Sequence, residues 1–229
     1  MKQFTGTADS VRERFAQVNE DVATAARAAG RDPGVVRVLV ATKYVAAEHL
    51  GVLRDAGIRL IGENRAQDLV ATHELHGDAF DYHFIGHLQS RKVKLVLPIV
   101  GLIHSVGSMS SVEAIQSRAA KPVDVLLEVN IGGEESKSGI PPEAVDAFLE
   151  QAAAHDAVKF RGLMCMPPLF EDPEAARPFF VRTRELAERL SATWTGTYTF
   201  DQLSMGTSAD YQIAVQEGAT IVRVGSVLF

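Results

Sequence analysis

A lysine follows the first short apolar run of the chain, in a position where its amine can act as a nucleophile. The run ends Ala41-Thr42-Lys43. A lysine at the end of a buried strand loses hydration, which lowers its pKa and favours the neutral amine. A neutral amine is the nucleophile that forms a Schiff base with an aldehyde. The same position also suits an ordinary surface lysine just past a strand, so Lys43 needs support from the rest of the chain.

Two later stretches have the composition of anion-binding loops. The run Ser-Met-Gly-Thr-Ser begins at Ser204 and precedes a helical pattern, so its hydroxyls and the N–H groups of Met205 and Gly206 can face an anion. Gly225 and Ser226 follow the last apolar run, where barrels often place phosphate. Ordinary strand-to-helix turns have the same composition, but two such loops on the last two strands support each other.

Arg223 lies two residues before Gly225, so the two residues face the same side of a strand. Its guanidinium can anchor a ring nitrogen or a second anion. It can also form an interior ion pair with Glu63 or Glu128, and these roles are compatible.

Other polar clusters favour structural interpretations. His83 and His87 straddle a predicted strand and its loop, so we expect no metal there. Arg91, Lys92 and Lys94 are more typical of a solvated helix face than of a nucleic-acid site.

Apolar runs alternate with amphipathic stretches along the chain. A leading helix has apolar residues at three- and four-residue spacing from Val11 to Val22. Eight short runs then predict strands, at 35–42, 59–62, 83–86, 102–106, 123–129, 160–164, 202–205 and 220–224. Helical patterns follow the first seven, at 46–57, 65–76, 90–97, 111–120, 143–154, 173–190 and 209–217.

This alternation predicts an α/β protein with a parallel sheet and helical crossovers. Eight units favour a closed (β/α)₈ (TIM) barrel, with an extra N-terminal helix, over a doubly wound open sheet. No linker or low-complexity tract interrupts the pattern, so we predict one domain over residues 1–229. The carboxyl ends of barrel strands form the active-site face, which is where the candidate residues fall.

Composition excludes several classes of protein. The 229 residues carry a net charge of −6, which argues against nucleic acid as the main partner. The single cysteine, Cys165, precludes an internal disulfide. The N-terminus is polar and no apolar run is long enough to span a membrane, so we expect a cytoplasmic protein without a membrane partner.

A series of short motifs occurs in a fixed order and resembles the pyridoxal phosphate homeostasis protein family. That family is similar to the N-terminal barrel of alanine racemase. The motifs are Thr42-Lys43, Ile61-Gly62-Glu63-Asn64, HFIGHLQS at 83–90, His104-Ser105-Val106, Glu128-Val129-Asn130, GEESKSG at 133–139, RGLM at 161–164, LSMG at 203–206 and VRVG at 222–225.

The resemblance implies a pyridoxal 5′-phosphate (PLP) cofactor held as a Schiff base on Lys43. It also implies that Arg223 faces the pyridine nitrogen, that Asn64 lies near the ring, and that serines and glycines contact the phosphate. The residues that it implies for cofactor binding are Lys43, Asn64, Ser204, Met205, Gly206, Arg223, Gly225 and Ser226.

The resemblance further implies a cofactor carrier without robust catalysis. It places the second base of a racemase, a tyrosine, in a separate β-domain of the partner subunit, for which this chain has no length left. An arginine at the ring nitrogen stays protonated and weakens the ring as an electron sink. We therefore predict a monomer that stores PLP or delivers it to PLP-dependent apo-enzymes. A racemase-like PLP enzyme and a barrel enzyme acting on a phosphorylated metabolite are the alternatives.

Overall fold

Eight parallel strands close a barrel. The structure, a computed structural model, describes residues 6–43, 45–134 and 138–229. Within those ranges the strands pair in chain order, and the last pairs with the first, with Val38 beside Val222 and Val40 beside Val224. The closed barrel confirms the predicted (β/α)₈ fold, because an open sheet would leave two unpaired edges.

The strands are short, and they match the predicted order. Their bounds are β1 Arg37–Ala41, β2 Leu60–Glu63, β3 Asp81–Phe84, β4 Leu102–Val106, β5 Val123–Val129, β6 Val158–Cys165, β7 Gln202–Thr207 and β8 Ile221–Val224. The helices in the described ranges are α1 Ala8–Ala28, α2 Gly51–Asp55, α3 Ala66–His76, α4 Val93–Val96, α5 Met109–Gln116, α6 Val145–Ala152, α7 Arg177–Thr193 and α8 Tyr211–Gln216.

Helix α1 is the extra N-terminal helix that the sequence predicts. The Thr7 hydroxyl caps it by accepting from the Ser10 N–H, and the Ser10 hydroxyl accepts in return from the Thr7 N–H. The helix packs against α8, where the Tyr211 hydroxyl donates to Asp21 Oδ2 at 2.7 Å. This contact holds α8 against α1, next to the loop that follows β7.

The buried apolar side chains form two layers. The larger layer lies between the barrel and the helices, and it includes the fully buried rings of Phe84, Phe160 and Phe180. The smaller layer fills the barrel interior with Leu39, Leu102, Leu126, Met164 and Ile221. Burial of each such side chain contributes about 1.5–3 kcal/mol relative to exposure.

Two elements differ from the sequence prediction in a way that matters for the site. Strand β7 continues to Thr207, two residues beyond the predicted end, through a register shift against β8. The predicted helix at 46–57 is a 3₁₀ turn at Ala47–His49 followed by α2, which begins at Gly51. Glycine is a poor helix former, which explains the break.

Gly86 lets the loops after β2 and β3 approach each other closely. A Cβ at this position would lie 2.0 Å from the Asn64 carbonyl oxygen. Only glycine allows that approach. Three residues of the 133–139 motif, Glu135, Ser136 and Lys137, lie outside the described residues.

Candidate functional site

A cavity of about 390 Å³ opens at the carboxyl ends of the strands. Residues that follow β1, β2, β3, β6, β7 and β8 converge on it, as a parallel barrel requires. Its lining residues are Ala41, Lys43, Asn64, Ile85, Met166, Pro167, Pro168, Leu169, Thr207, Ser208, Ala209, Asp210, Arg223, Gly225 and Ser226. Of the predicted cofactor residues, the structure therefore brings together Lys43, Asn64, Arg223, Gly225 and Ser226.

Lys43 lies in the turn directly after β1. The preceding residue, Thr42, is fully buried, and both its N–H and its hydroxyl donate to the Gly62 carbonyl at 3.1 Å. This fixes the point from which Lys43 leaves the barrel. Lys43 itself is exposed at the rim of the cavity, because β1 ends at Ala41 and the lysine lies beyond the buried Thr42.

Asn64 follows β2 and lines the cavity with an unsatisfied polar atom. Its Oδ1 is buried and has no hydrogen-bond partner within the described residues. A buried carbonyl oxygen without a donor costs free energy, so such an atom in a cavity is suited to accept from a ligand.

Arg223 forms the floor of the cavity. Its Nη1 donates to the Ser204 carbonyl at 2.6 Å and to Ser204 Oγ at 2.5 Å, and its Nη2 donates to the Cys165 carbonyl at 2.9 Å. Burial lowers the pKa of Arg223 from its ordinary value, but a guanidinium stays protonated. These acceptors are uncharged, as is Met166 Sδ, which accepts from Nη2 at 3.6 Å, whereas the carboxylates of Asp210 and Glu128 act on the guanidinium through their charges.

The interior ion pair considered for Arg223 does not form among the described residues. Glu63 accepts instead from the Thr72 hydroxyl at 3.4 Å, and burial raises the pKa of Glu63. Glu128 accepts from the Ser138 hydroxyl at 2.6 Å.

Two loops face each other across the cavity beside Arg223. The Gly225 N–H donates to Ser208 Oγ at 3.0 Å, which joins the loop after β8 to the loop after β7. Asp210 holds the β7 loop by accepting from the Thr207 N–H at 2.6 Å and from the Thr207 hydroxyl at 3.1 Å. Ser226 is exposed at the end of the β8 loop. Together the loops offer the hydroxyls of Ser208 and Ser226 and the backbone of a glycine to an anion.

The structure places Ser204, Met205 and Gly206 outside the residues that line this cavity. All three are buried within β7, because the strand runs on to Thr207. The residues that take their place at the mouth are Thr207 and Ser208. Both belong to the predicted anion-binding run at 204–208. They were not among the predicted cofactor residues because β7 was expected to end at Met205 and ends at Thr207 instead.

An apolar wall, whose residues were not among the predicted cofactor-binding residues, completes the cavity. Ile85 follows β3, and the segment from Met166 to Leu169 follows β6. Leu169 is 86% exposed. The two consecutive prolines in that segment restrict the backbone, and such an apolar rim suits the face of an aromatic ring.

The remaining polar clusters have other surroundings. No group of three or more His, Cys, Asp or Glu side chains in the described residues is arranged to hold a metal ion. His87 is exposed, whereas His83 is buried beside His104. No helix in the described part of the chain is both long and apolar enough to cross a membrane.

The fold and the site define a class of protein: a parallel (β/α)₈ barrel whose carboxyl-end cavity combines a lysine amine, an arginine and two hydroxyl- and glycine-bearing loops. The model of the family described as alanine racemase, N-terminal domain, matches residues 10–229. The pyridoxal phosphate homeostasis protein of Aquifex aeolicus is 40% identical over 221 residues, which cover 95% of this chain and 96% of that protein. That of Pseudomonas aeruginosa is 35% identical over 224 residues, which cover 96% and 95%. The chain belongs to the alanine racemase N-terminal domain family and, within it, to the pyridoxal phosphate homeostasis proteins.

Solved structures agree with this assignment. An unknown protein from Bifidobacterium adolescentis superposes with a TM-score of 0.87 at 35% identity, covering 100% of this chain and 98% of that one. PipY of Synechococcus elongatus, solved with PLP bound, has a TM-score of 0.82 at 29% identity, covering 96% of this chain and 99% of PipY. The family resemblance predicted from the motifs is thereby confirmed.

Proposed function

We propose that this chain binds PLP on Lys43 and stores or delivers the cofactor in the cytoplasm, without robust catalysis. The observation that carries the proposal is the convergence of the lysine amine, the unpartnered Asn64 oxygen and the Arg223 guanidinium on one cavity. The names of the relatives and the PLP-bound structure of PipY support the same cofactor.

The residues on the cavity fit the functional groups of PLP. The Lys43 amine would hold the cofactor through its aldehyde, with the carbonyl oxygen leaving as water. Asn64 Oδ1 is an acceptor without a donor, which suits the phenolic O–H of the ring. The apolar wall from Met166 to Leu169 suits the ring face.

The phosphate belongs between the β7 and β8 loops. Ser208 and Ser226 supply hydroxyl donors, and the Gly225 N–H can transfer from Ser208 Oγ to a phosphate oxygen. In this proposal Ser204, Met205 and Gly206 contribute indirectly. They lie in the buried part of β7 and position the loop that starts at Thr207. The carboxylate of Asp210 also lines the cavity, and its bonds to Thr207 turn Oδ1 towards the loop backbone.

Arg223 favours a carrier over an enzyme. A guanidinium at the ring nitrogen donates to it and keeps that nitrogen unprotonated, which weakens electron withdrawal by the ring. When bound, PLP supplies an aldehyde and an electron-withdrawing ring. In this proposal Arg223 weakens the electron withdrawal by the ring.

A racemase-like enzyme is the second candidate, and the cavity favours it less. Such chemistry needs a proton acceptor on each face of the ring. Among the described residues that line the cavity, the ionisable side chains are Lys43, Asp210 and Arg223. Asp210 is held by Thr207, and Arg223 cannot accept a proton.

The test is reduction of the purified protein with borohydride in the presence of PLP, followed by peptide mapping. Borohydride adds hydride to the Schiff-base carbon and leaves a stable secondary amine. We expect a visible absorption band before reduction and a pyridoxyl adduct on Lys43 afterwards. The Lys43→Ala variant should lose both, and Lys121→Ala, which removes an exposed lysine elsewhere, should keep both.

An adduct on another lysine would reject Lys43 as the anchor. The absence of any adduct and band would reject PLP binding and favour the barrel enzyme that acts on a phosphorylated metabolite. Turnover of a panel of L- and D-amino acids by the loaded protein separates the carrier from the racemase-like enzyme, and we expect none.

Recipient apo-enzymes and a monomeric state complete the proposal. The PLP-loaded protein should restore the activity of an apo-enzyme faster than it loses PLP to a trap that consumes free cofactor. Size-exclusion chromatography with light scattering should give the mass of one chain, 24.8 kDa.

A further inference from the structure

A file of polar side chains runs through the apolar interior of the barrel below the cavity. His83 Nδ1 lies 2.9 Å from His104 Nε2, and His104 Nδ1 lies 2.8 Å from Ser204 Oγ. Ser204 Oγ in turn accepts from Arg223 Nη1. We call His83, His104, Ser204 and Arg223 the interior file. It joins the floor of the cavity to the opposite end of the barrel, where His83 lines a second cavity.

The contacts of the interior file allow two donor directions, because a hydroxyl has one donor and two acceptor sites. Arg223 has only donors, so Ser204 Oγ accepts from it in both directions. In the direction on which the inference below depends, the Ser204 hydroxyl donates its proton to His104 Nδ1, which then carries no proton. A neutral His104 ring has its proton on Nε2 and donates it to His83 Nδ1. The proton of His83 is left on Nε2, on the side of the ring away from His104.

Both rings are neutral, as this direction requires. Burial lowers the pKa of His83 to about 3, with Arg37 contributing in the same direction. Burial also lowers the pKa of His104 well below its ordinary value, helped by His83 and Arg223. When the Ser204 hydroxyl donates to His104, an imidazolium at either position would place two donors against each other.

The interior file has apolar surroundings. Leu39, Leu102, Leu126 and Ile221 fill the same interior and offer no side-chain hydrogen bond. A member of the file that loses its neighbour therefore leaves a buried polar atom unsatisfied. The hydrogen bonds of such a chain also strengthen one another in a low dielectric.

The interior file affects the hydrogen bond that Arg223 donates to Ser204. Ser204 donates to His104, which makes its oxygen a better acceptor for the guanidinium. This fixes the orientation of a charged group by a neutral hydrogen-bond partner.

We propose that Ser204 and His104 are positioning residues that act through Arg223 and so set the strength of its interaction with the cofactor ring. The proposal rests on the proposed binding of PLP at the cavity. Neither residue lines the cavity, and each reaches Arg223 through the interior file.

The first test compares Ser204→Ala with Ser204→Thr, which keeps the hydroxyl. We expect Ser204→Ala to shift the absorption maximum of bound PLP and to raise its dissociation constant roughly three- to tenfold, the size of one weakened hydrogen bond to a charged group. Ser204→Thr should restore both values towards those of the wild type.

Ser111→Ala is the matched control. Its hydroxyl is also buried and donates to the Leu88 carbonyl at 3.1 Å, outside the interior file. Loss of this hydroxyl should lower the unfolding midpoint as Ser204→Ala does, with no change in spectrum or affinity. An unchanged spectrum and affinity in Ser204→Ala would overturn the proposal, as would equal changes in Ser111→Ala.

The second test needs neither a variant nor the cofactor. Nitrogen-15 NMR of the wild-type histidines should show His104 neutral at pH 7, with the proton on Nε2 and none on Nδ1. A proton on His104 Nδ1 or an imidazolium would reverse the donor direction at Ser204 and overturn the proposal. A wild type that has this tautomer but binds no PLP would reject the proposed function and retain the file, so the two failures are distinguishable.

Discussion

The two ends of the barrel both carry cavities and charged residues, but they treat their charges differently. The amino-end cavity is the larger, at about 770 Å³ against about 390 Å³. There Asp124 pairs with Arg161 at 2.8 Å and Arg37 donates to Gln202 at 2.8 Å. At the carboxyl end Arg223 is held by uncharged acceptors and Asn64 Oδ1 has no partner among the described residues.

The larger cavity is therefore the one at which the charged side chains named above pair with other side chains. At the carboxyl end, a buried acceptor on Asn64 has no donor among the described residues, which costs stability. Variants at one end can therefore serve as controls for variants at the other.

The largest effect is expected from a methyl group between the site loops. Gly86→Ala should lower the free energy of unfolding by about 3 kcal/mol, because its Cβ would meet the Asn64 carbonyl at 2.0 Å. It should also weaken PLP binding, because Asn64 must move. Gly101→Ala, at the amino end, has no atom within 4 Å of its Cβ and should change stability by at most about 0.5 kcal/mol. Urea denaturation of both variants makes the comparison, and equal losses would contradict it.

Acidification should destabilise the protein through the interior file. Below about pH 6.5 the unfolded chain protonates its histidines, whereas the pKa of His83 in the folded chain is about 3. The unfolded state therefore binds more protons, and stability falls as the pH falls from about 6.5 towards 3, by at most about 1.4 kcal/mol per pH unit for each such ring. Buried Glu63, whose folded pKa is raised, contributes in the opposite direction.

His83→Asn isolates the first contribution. Its unfolding free energy should fall less steeply between pH 6 and pH 5 than that of the wild type, by up to about 1.4 kcal/mol per unit. The control is His87→Asn, which changes an exposed side chain. A slope in His83→Asn equal to that of the wild type would refute a neutral buried His83.

Substitutions of Arg223 and Arg37 should differ in their effect on PLP binding. Arg223→Leu should weaken PLP binding about tenfold or more and change the absorption maximum, because it removes the charge at the cavity floor. Arg37→Leu, at the amino end, should leave both values unchanged. Titration with PLP followed by absorbance decides the matter, and equal affinities in the two variants would remove Arg223 from the site.

The smallest effect is expected at the amino-end ion pair. Asp124 and Arg161 have side chains that are 39% and 38% exposed, so solvent screens their attraction. Asp124→Asn should lower stability by less than about 1 kcal/mol and leave PLP binding unchanged. A loss of PLP affinity in this variant would show that the two ends are coupled.

Much of the architecture was predictable from local pattern. The eight strands appear in the predicted order because short β-branched runs between amphipathic helices leave few alternatives to a parallel barrel. Lys43, Asn64, Arg223, Gly225 and Ser226 reach the cavity because parallel strands bring their carboxyl ends to one face. The exposure of Lys43 was not predictable, because it depends on a turn that is set by the bonds of Thr42 to the neighbouring strand.

The sequence by itself determined the fold class, the family and the strand end at which each candidate residue lies, because periodicity and ordered motifs are local properties of the chain. The tertiary structure decided which residues form one site. Ser204 and Thr207 belong to the same strand, yet one contacts Arg223 inside the barrel and the other reaches the cavity, because the register between β7 and β8 sets where the strand ends. The interior file likewise joins residues from β3, β4, β7 and β8, and only closure of the barrel brings their side chains within hydrogen-bond distance.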